Sequence, residues 1–312
     1  MITAVIVTYD SAACVGTCIG ALREVLPNAE VLVVDNASRD DTISAIRAAA
    51  PQSRLIQTGE NVGFGRACNT GAEAAGGSHL LFLNPDVVVT AVDGQQLDRL
   101  LASQPFGLVA PAFEGEGDRR RRENSWVSEF FAHTLDTIRP REWQRRIGRC
   151  PREDAAWVSG GMLLASRDEF LELGGFDPRF FLYYEDRDLS RRYRNARLPI
   201  RTTNAIRGRH TPGTSSMSDG LRVGPLAWSL LGWIQYLYIY DGDRTARRAA
   251  RATLTTLRVL RQGVSALAAL RWPRARRKAR QLDELFRFLA EHSSSSDPRF
   301  CPDALRVLQE LA

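Results

Sequence analysis

Asn84-Pro85-Asp86 follows an apolar run and precedes Val87-Val88-Val89. A carboxylate there suits a hard divalent cation that keeps several waters and is completed by the phosphate oxygens of a substrate. The same triplet is also an ordinary turn. Asp35-Asn36 closes the run Val31 to Val34. A carboxylate just past a strand accepts from a ribose hydroxyl or a base N–H, or simply caps the next helix. Gly63-Phe64-Gly65, between Asn61 and Asn69, permits close backbone approach to a ligand. It is neither a GxxxxGK loop nor GxGxxG, which counts against NTPase and dehydrogenase chemistry.

Two further clusters carry titratable groups. Glu185, Asp186 and Asp188 fall within four residues, behind Tyr183-Tyr184 and at the opening of a helical stretch. Crowded carboxylates raise one another's proton affinity, while a helix N-terminus favours the charged form, so the cluster could hold a general base. Equally, Asp186 and Asp188 could cap the helix and pair with Arg187, Arg191 or Arg192. His210 lies in a run rich in Gly, Ser and Thr, from Gly208 to Ser216. That reads as a loop in which an imidazole would ligate metal or phosphate and not pack in a core. His79, His133 and His292 read as structural or surface residues.

The elements that must position these groups alternate strand and helix over the first hundred residues, the pattern of a mostly parallel sheet. Ala4–Thr8, Val31–Val34, Leu55–Ile56 and His79–Leu83 read as strands. Val15, Ile19, Leu22 and Val25 fall at helical spacing, Ser38-Arg39-Asp40-Asp41 opens a helix that ends before Pro51, and Gly63 to Gly76 enters an Ala-rich helix. Each strand ends in a polar loop at one edge of the sheet, where open α/β sheets bind ligands. Phe113 to Ala155 is charged and irregular, an insertion of the functional or mobile kind. A second αβ section follows, with Trp157–Ser166 as strand, Asp168–Leu173 as helix, a break at Gly174-Gly175, a helix from about Asp186 to Asn195 and a strand near Ile200 to Thr203. From Leu226 the pattern is helical, with Ser293 to Ser296 as a joint.

With 44% apolar and 25% charged residues in 312, collagen-like, coiled-coil and disordered chains are excluded. The net charge of +6 is unevenly spread: between Asp241 and Arg280 twelve Arg/Lys face two Asp, so the remainder is mildly acidic. That imbalance, without a recognised motif, argues against nucleic-acid binding and for an anionic membrane surface contacted through residues 241–280. Five cysteines without a CxxC pair predict no zinc or redox site and a reduced, cytoplasmic setting. The opening Met-Ile-Thr-Ala-Val-Ile-Val has no basic n-region, which predicts no secretory signal. Val223 to Tyr240 is charge-free and carries two Trp and three Tyr, the signature of an interfacial helix.

Together these segments resemble the family 2 glycosyltransferases of the GT-A fold, in the branch containing rhamnosyltransferases. The matching pieces are Val5-Ile6-Val7-Thr8-Tyr9, Val33-Val34-Asp35-Asn36-Ala37-Ser38, Asn61-Val62-Gly63-Phe64-Gly65 with Asn69, Leu83-Asn84-Pro85-Asp86, Trp157-Val158-Ser159-Gly160-Gly161, Gly174-Gly175-Phe176-Asp177, Tyr184 to Leu189, and His210. The resemblance implies an α/β GT-A domain over residues 1–220, with a mostly parallel, Rossmann-like sheet. Its donor half would cover about 1–112, its acceptor half about 156–220 and a mobile insertion about 113–155. A helical, Arg-rich region would follow over 221–312.

By the same resemblance, the activity is inverting transfer of a sugar from a nucleoside diphosphate, dTDP-rhamnose first and a UDP-hexose next. The acceptor would be a saccharide or polyprenyl-linked saccharide in cell-surface glycan synthesis, reached from the inner face of the membrane. Thr8, Tyr9, Asp35, Asn36, Asn61, Gly63, Phe64, Asn69 and Asn84 would hold the donor. Asp86 and His210 would bind Mg²⁺ or Mn²⁺. Asp186 would be the catalytic base with Glu185 in support, and Trp157, Gly160, Gly161 and Asp188 would border the acceptor. Two departures from the family pattern stand out, Asn84 in place of a first metal-binding Asp, and Asp10 where the branch commonly has Asn.

Overall fold

A computed structural model of the chain describes residues 1–114, 157–210, 224–269, 273–292 and 302–309. Apart from Phe113 and Glu114, the expected insertion lies outside them, as does the Ser293–Ser296 joint.

The chain opens with β1 (Ile2–Thr8), α1 (Val15–Val25), β2 (Glu30–Asp35), α2 (Thr42–Ala49), β3 (Arg54–Gln57), α3 (Phe64–Ala74), β4 (His79–Leu83), β5 (Val87–Val92), α4 (Gly94–Leu101) and β6 (Leu108–Phe113). After residue 157 come β7 (Met162–Ser166), α5 (Arg167–Glu172), α6 (Glu185–Asn195) and β8 (Ile200–His210). Among the described residues the strands form one sheet in the order β3-β2-β1-β4-β7-β6-β8-β5. β1 pairs in parallel with both β2 and β4, and β2 with β3.

The period-2 alternation of these strands builds two cores. Ala4 and Ile6 point to the face covered by Val15, Ile19, Leu22 and Ile46. Val5 and Val7 point to the other, against Ala67, Cys68, Phe170, Leu189 and Tyr193.

Strand direction decides where the polar loops gather. β7 runs antiparallel to β4, with Met162 opposite Leu83. β8 is parallel to β6 and antiparallel to β5, with His210 opposite Val87. The carboxyl ends of β1, β2, β4 and β8 and the amino ends of β5 and β7 therefore share one edge. The strand expected over 157–166 begins only at Met162, which leaves Trp157 to Gly161 as a loop on that edge. His210 is the last residue of an 11-residue strand, not part of a loop, because its pairing with β5 extends the strand well past Thr203.

By its contacts the chain divides into two units. The first is the sheet with its helices. The second joins the segment 179–184 to α7 (Gly224–Asp241), α8 (Asp243–Ala269), α9 (Pro273–His292) and α10 (Pro302–Gln309). Within it Ala227, Leu230, Leu231, Ile234 and Leu237 of α7 are buried, packed with Ala246, Ala250, Leu254 and Leu257 of α8 and Leu282 and Leu285 of α9. Trp228 stacks between Phe181 and Phe288, and Tyr236 lies beside Tyr184. Buried Gln235 donates to Asp303 at 3.0 Å and accepts from the Ala304 N–H. The helix read as interfacial thus supplies much of the core of this unit, with its Trp and Tyr side chains half-buried. No helix among the described residues is long and apolar enough to cross a membrane.

Candidate active site

The end of β2 is held by its own side chains. Asp35 is 1% exposed. It accepts from Thr8 Oγ1 at 2.9 Å and Ser38 Oγ at 2.5 Å on Oδ1, and from the Ser38 N–H at 3.1 Å on Oδ2. Asn36 donates to Asn61 Oδ1 at 2.8 Å and accepts the Val62 N–H at 2.9 Å. Asn61 also accepts the Gly63 N–H. This latch ties β2 to the entry of α3, where Gly63 sits at φ 91°, a left-handed conformation that a side chain would strain. Beside it, Asp10 accepts both the backbone N–H and the guanidinium of Arg39, which also lies over the Tyr9 ring. The Asn-to-Asp departure at position 10 thus has a local partner.

Between β4 and β5, Asp86 is 4% exposed, and His210 Nε2 stands 3.3 Å from its Oδ2. A hard carboxylate oxygen beside an imidazole nitrogen suits Mn²⁺ or Mg²⁺ chemically. No group of three His, Cys, Asp or Glu side chains among the described residues forms a closed cage. The pair therefore fits an ion whose remaining positions are filled by water and a phosphorylated substrate. Asn84, the other departure, donates its backbone N–H to Gly161 O at 3.0 Å.

Asp186 starts α6, half-buried. Its Oδ2 accepts the Gly160 N–H at 3.3 Å and its Oδ1 the Arg187 N–H at 2.8 Å. Burial pushes its carboxyl up to about 6, against the pull of the Arg187 charge and of these N–H groups. Glu185 is more deeply buried. Desolvation, with the Asp186 charge, raises its carboxyl well above the ordinary range and so favours its protonated form. A Cβ on Gly160 would stand 3.0 Å from the Phe64 ring, so a side chain there would crowd the ring beside Asp186. Trp157 stacks on the Arg187 guanidinium, 4.5 Å from its ring centroid.

Two predicted residues have other tasks. Asn69 uses its amide on the Phe176 backbone, donating to its O and accepting its N–H, both at 2.8 Å. It holds the chain just after the Gly174-Gly175 turn. Asp188 is 1% exposed and holds Arg192, whose guanidinium in turn donates to Leu173 O and Gly175 O. That makes Asp188 a positioning residue, because the inner face of α6 buries it.

A match to the family model described as Glycosyl transferase family 2 runs over residues 3–174, more than half of the chain. The chain belongs to glycosyl transferase family 2. It is 31% identical over 191 residues to the N-acetylglucosaminyl-diphospho-decaprenol L-rhamnosyltransferase of Mycobacterium tuberculosis (strain CDC 1551 / Oshkosh), across 52% of this chain. The chain spans 60% of the length of that curated relative. Among solved structures it is similar to GalNAc-T7 with UDP, GalNAc and Mn²⁺, at a TM-score of 0.56 and 16% identity over 77% of this chain and 48% of that one. It is also similar to the mannosyltransferase PcManGT from Pyrobaculum calidifontis in complex with GDP-Man and Mn²⁺, at a TM-score of 0.53 and 18% identity over 95% and 88%. At such identities the likeness is one of fold, and the fold is GT-A.

Asp186, Asp188 and His210 of this family 2 chain lie beyond the matched residues. Sequence reasoning missed Ser38, Arg39 and Ser190. Ser190 accepts the Val158 N–H and donates to Asp186 O, joining the 157–161 loop to α6. A serine four residues along a helix from an acid is the signal that could have found it.

Proposed function

We propose that the protein is an inverting glycosyltransferase. It would move a sugar, rhamnose from dTDP-rhamnose as first choice, to a hydroxyl of a saccharide or polyprenyl-linked saccharide in cell-surface glycan synthesis. The observation that carries this reading is a carboxylate of raised proton affinity, Asp186, held by the Gly160 N–H on the GT-A sheet unit that also carries the Asp86–His210 pair. The name of the mycobacterial relative supports both the rhamnosyl donor and the diphospho-decaprenol-linked acceptor. A UDP-hexose donor is the second choice, favoured by the UDP bound in GalNAc-T7.

On this reading Asp186 takes the proton from the acceptor hydroxyl as its oxygen attacks the anomeric carbon. The bond to the diphosphate oxygen breaks on the opposite face, the leaving group carries away the electron pair, and one displacement inverts the centre. Asp86 and His210 would hold Mg²⁺ or Mn²⁺, which supplies positive charge where the leaving diphosphate becomes negative. Thr8, Ser38 and the Asn36–Asn61 latch keep Asp35 and the α3 entry in place for the nucleoside. Burial of Glu185 disfavours a second negative charge beside the base. The work would be done at the inner face of the cell membrane, where a polyprenyl-linked acceptor is reached; the Arg-rich residues 241–280 support this.

The test is a thermal-shift and transfer screen of dTDP-rhamnose, UDP-galactofuranose, UDP-glucose and UDP-galactose with Mn²⁺ or Mg²⁺ and a lipid-linked GlcNAc acceptor. We expect stabilisation and transfer with dTDP-rhamnose. No stabilisation by any nucleoside diphosphate would overturn the reading.

A further inference from the structure

α8 has two opposite faces. Ala246, Ala250, Thr253, Leu254 and Leu257 are buried. On the other side Arg244, Arg248, Arg251, Thr255, Arg258 and Gln262 are exposed, at offsets of 0, 4, 7, 11, 14 and 18, which is a single helical stripe. Four of its six positions are arginine. From Arg244 to Arg258 it runs about 21 Å at 1.5 Å per residue.

Arg247 pairs with Asp243 at 2.7 Å and Arg261 with Asp283 at 2.5 Å, both flanking the buried side. No acidic residue occupies a position of the stripe itself. Val259, at the stripe's edge, is 62% exposed. With Met1 it is one of two large hydrophobic side chains so exposed among the described residues.

We propose that this face of α8 docks on an anionic phospholipid bilayer, the arginines meeting the headgroup phosphates and Val259 entering the headgroup boundary. A straight row of guanidinium groups matches a planar array of phosphates. The exposed valine selects the bilayer over a nucleic acid, since an aliphatic side chain is buried only where an apolar interior lies behind the charge. The contact belongs to α8 and not to α7, whose Leu230, Leu231, Ile234 and Leu237 are buried and whose Trp228, Trp233 and Tyr238 pack against that core. It is independent of which sugar is transferred, and its test reads no transferase activity.

Flotation of the full chain is measured with phosphatidylcholine vesicles, with and without phosphatidylglycerol, over a range of salt. We expect binding to the anionic vesicles alone, weakening as salt rises. Replacing Arg244, Arg248, Arg251 and Arg258 together by Gln should lower partitioning by roughly a hundredfold or more. If that variant melts early, the pairs R244Q/R248Q and R251Q/R258Q should each lower it about tenfold. R247Q/R261Q should change it far less, and V259S should weaken it without changing the salt dependence. Unchanged partitioning of the stripe variants, or equal binding to neutral vesicles, would overturn the proposal. So would displacement from the vesicles by duplex DNA at lower concentration than soluble phosphatidylglycerol, with V259S binding DNA like the parent.

Discussion

The backbone N–H of Gly160 donates to Oδ2 of Asp186 at 3.3 Å, joining the loop before β7 to the first turn of α6. The bond holds one carboxylate oxygen, and burial keeps the group's proton affinity near neutrality. Asp186→Asn keeps the shape and removes the base. We expect turnover to fall by about 10² to 10⁴-fold with nucleotide affinity unchanged. In the parent protein the rate should decline below about pH 6, because the base acts only when ionised. Steady-state kinetics against pH, with nucleotide binding by calorimetry, check both.

Gly160→Val tests the loop itself. A Cβ already meets the Phe64 ring at 3.0 Å, so a branched side chain must push the loop or the ring aside. Turnover should drop at least about tenfold through misplacement of the base, while the melting temperature of the protein changes little. An unchanged kcat would show that the contact is not needed.

The Asp86–His210 pair predicts a graded metal response. Asp86→Asn should raise the Mn²⁺ concentration needed for nucleoside diphosphate binding by about tenfold or more, since a carboxylate ligand is lost. His210→Ala should do so by a smaller factor. Chelation should abolish the difference between these variants and the parent, as read by dTDP titration.

Asn36→Ala leaves the Val62 N–H and the Asn61 carboxamide without their present partners. The cost should be about 1–3 kcal/mol in chemical denaturation. Donor affinity should fall with it, because the α3 entry loses its tie to β2.

Glu185→Gln should change turnover far less than Asp186→Asn, since burial and the neighbouring Asp186 charge already favour the uncharged form of Glu185. Its effect should lie in the pH dependence of stability. The folded-state affinity of Glu185 for its proton is raised, so its contribution is complete below the ordinary carboxylate value near 4.5 and is lost as pH rises above it. Gln cannot ionise in either state. The variant should therefore lose less stability between pH 5 and 8 than the parent, as read by melting temperature against pH.

The parallel sheet and its polar edge were legible from local pattern. Runs such as Ala4–Thr8 and Val31–Val34 stop at Thr8-Tyr9 and Asp35-Asn36 because apolar period and turn chemistry are short-range properties. The α6 start at Glu185-Asp186 was legible for the same reason. His210 was not placed correctly, because its strand continues through pairing with β5 and β6, which the neighbouring Gly, Ser and Thr do not reveal.

What the sequence by itself determined is the family, the order of strands and helices up to β4, and the acids standing at their ends. What only the tertiary structure decided is which polar groups serve the fold. Asn69 meets Phe176 across 107 residues, and Asp188 grips the arginine that ties down the Gly174-Gly175 turn. Likewise α7 packs Leu230, Leu231, Ile234 and Leu237 into the core of the helical unit, while Arg244, Arg248, Arg251 and Arg258 of α8 are exposed. The physical reason is common to these cases. Whether a polar or aromatic side chain is satisfied inside the protein depends on partners that folding brings from distant segments, and no local period encodes them.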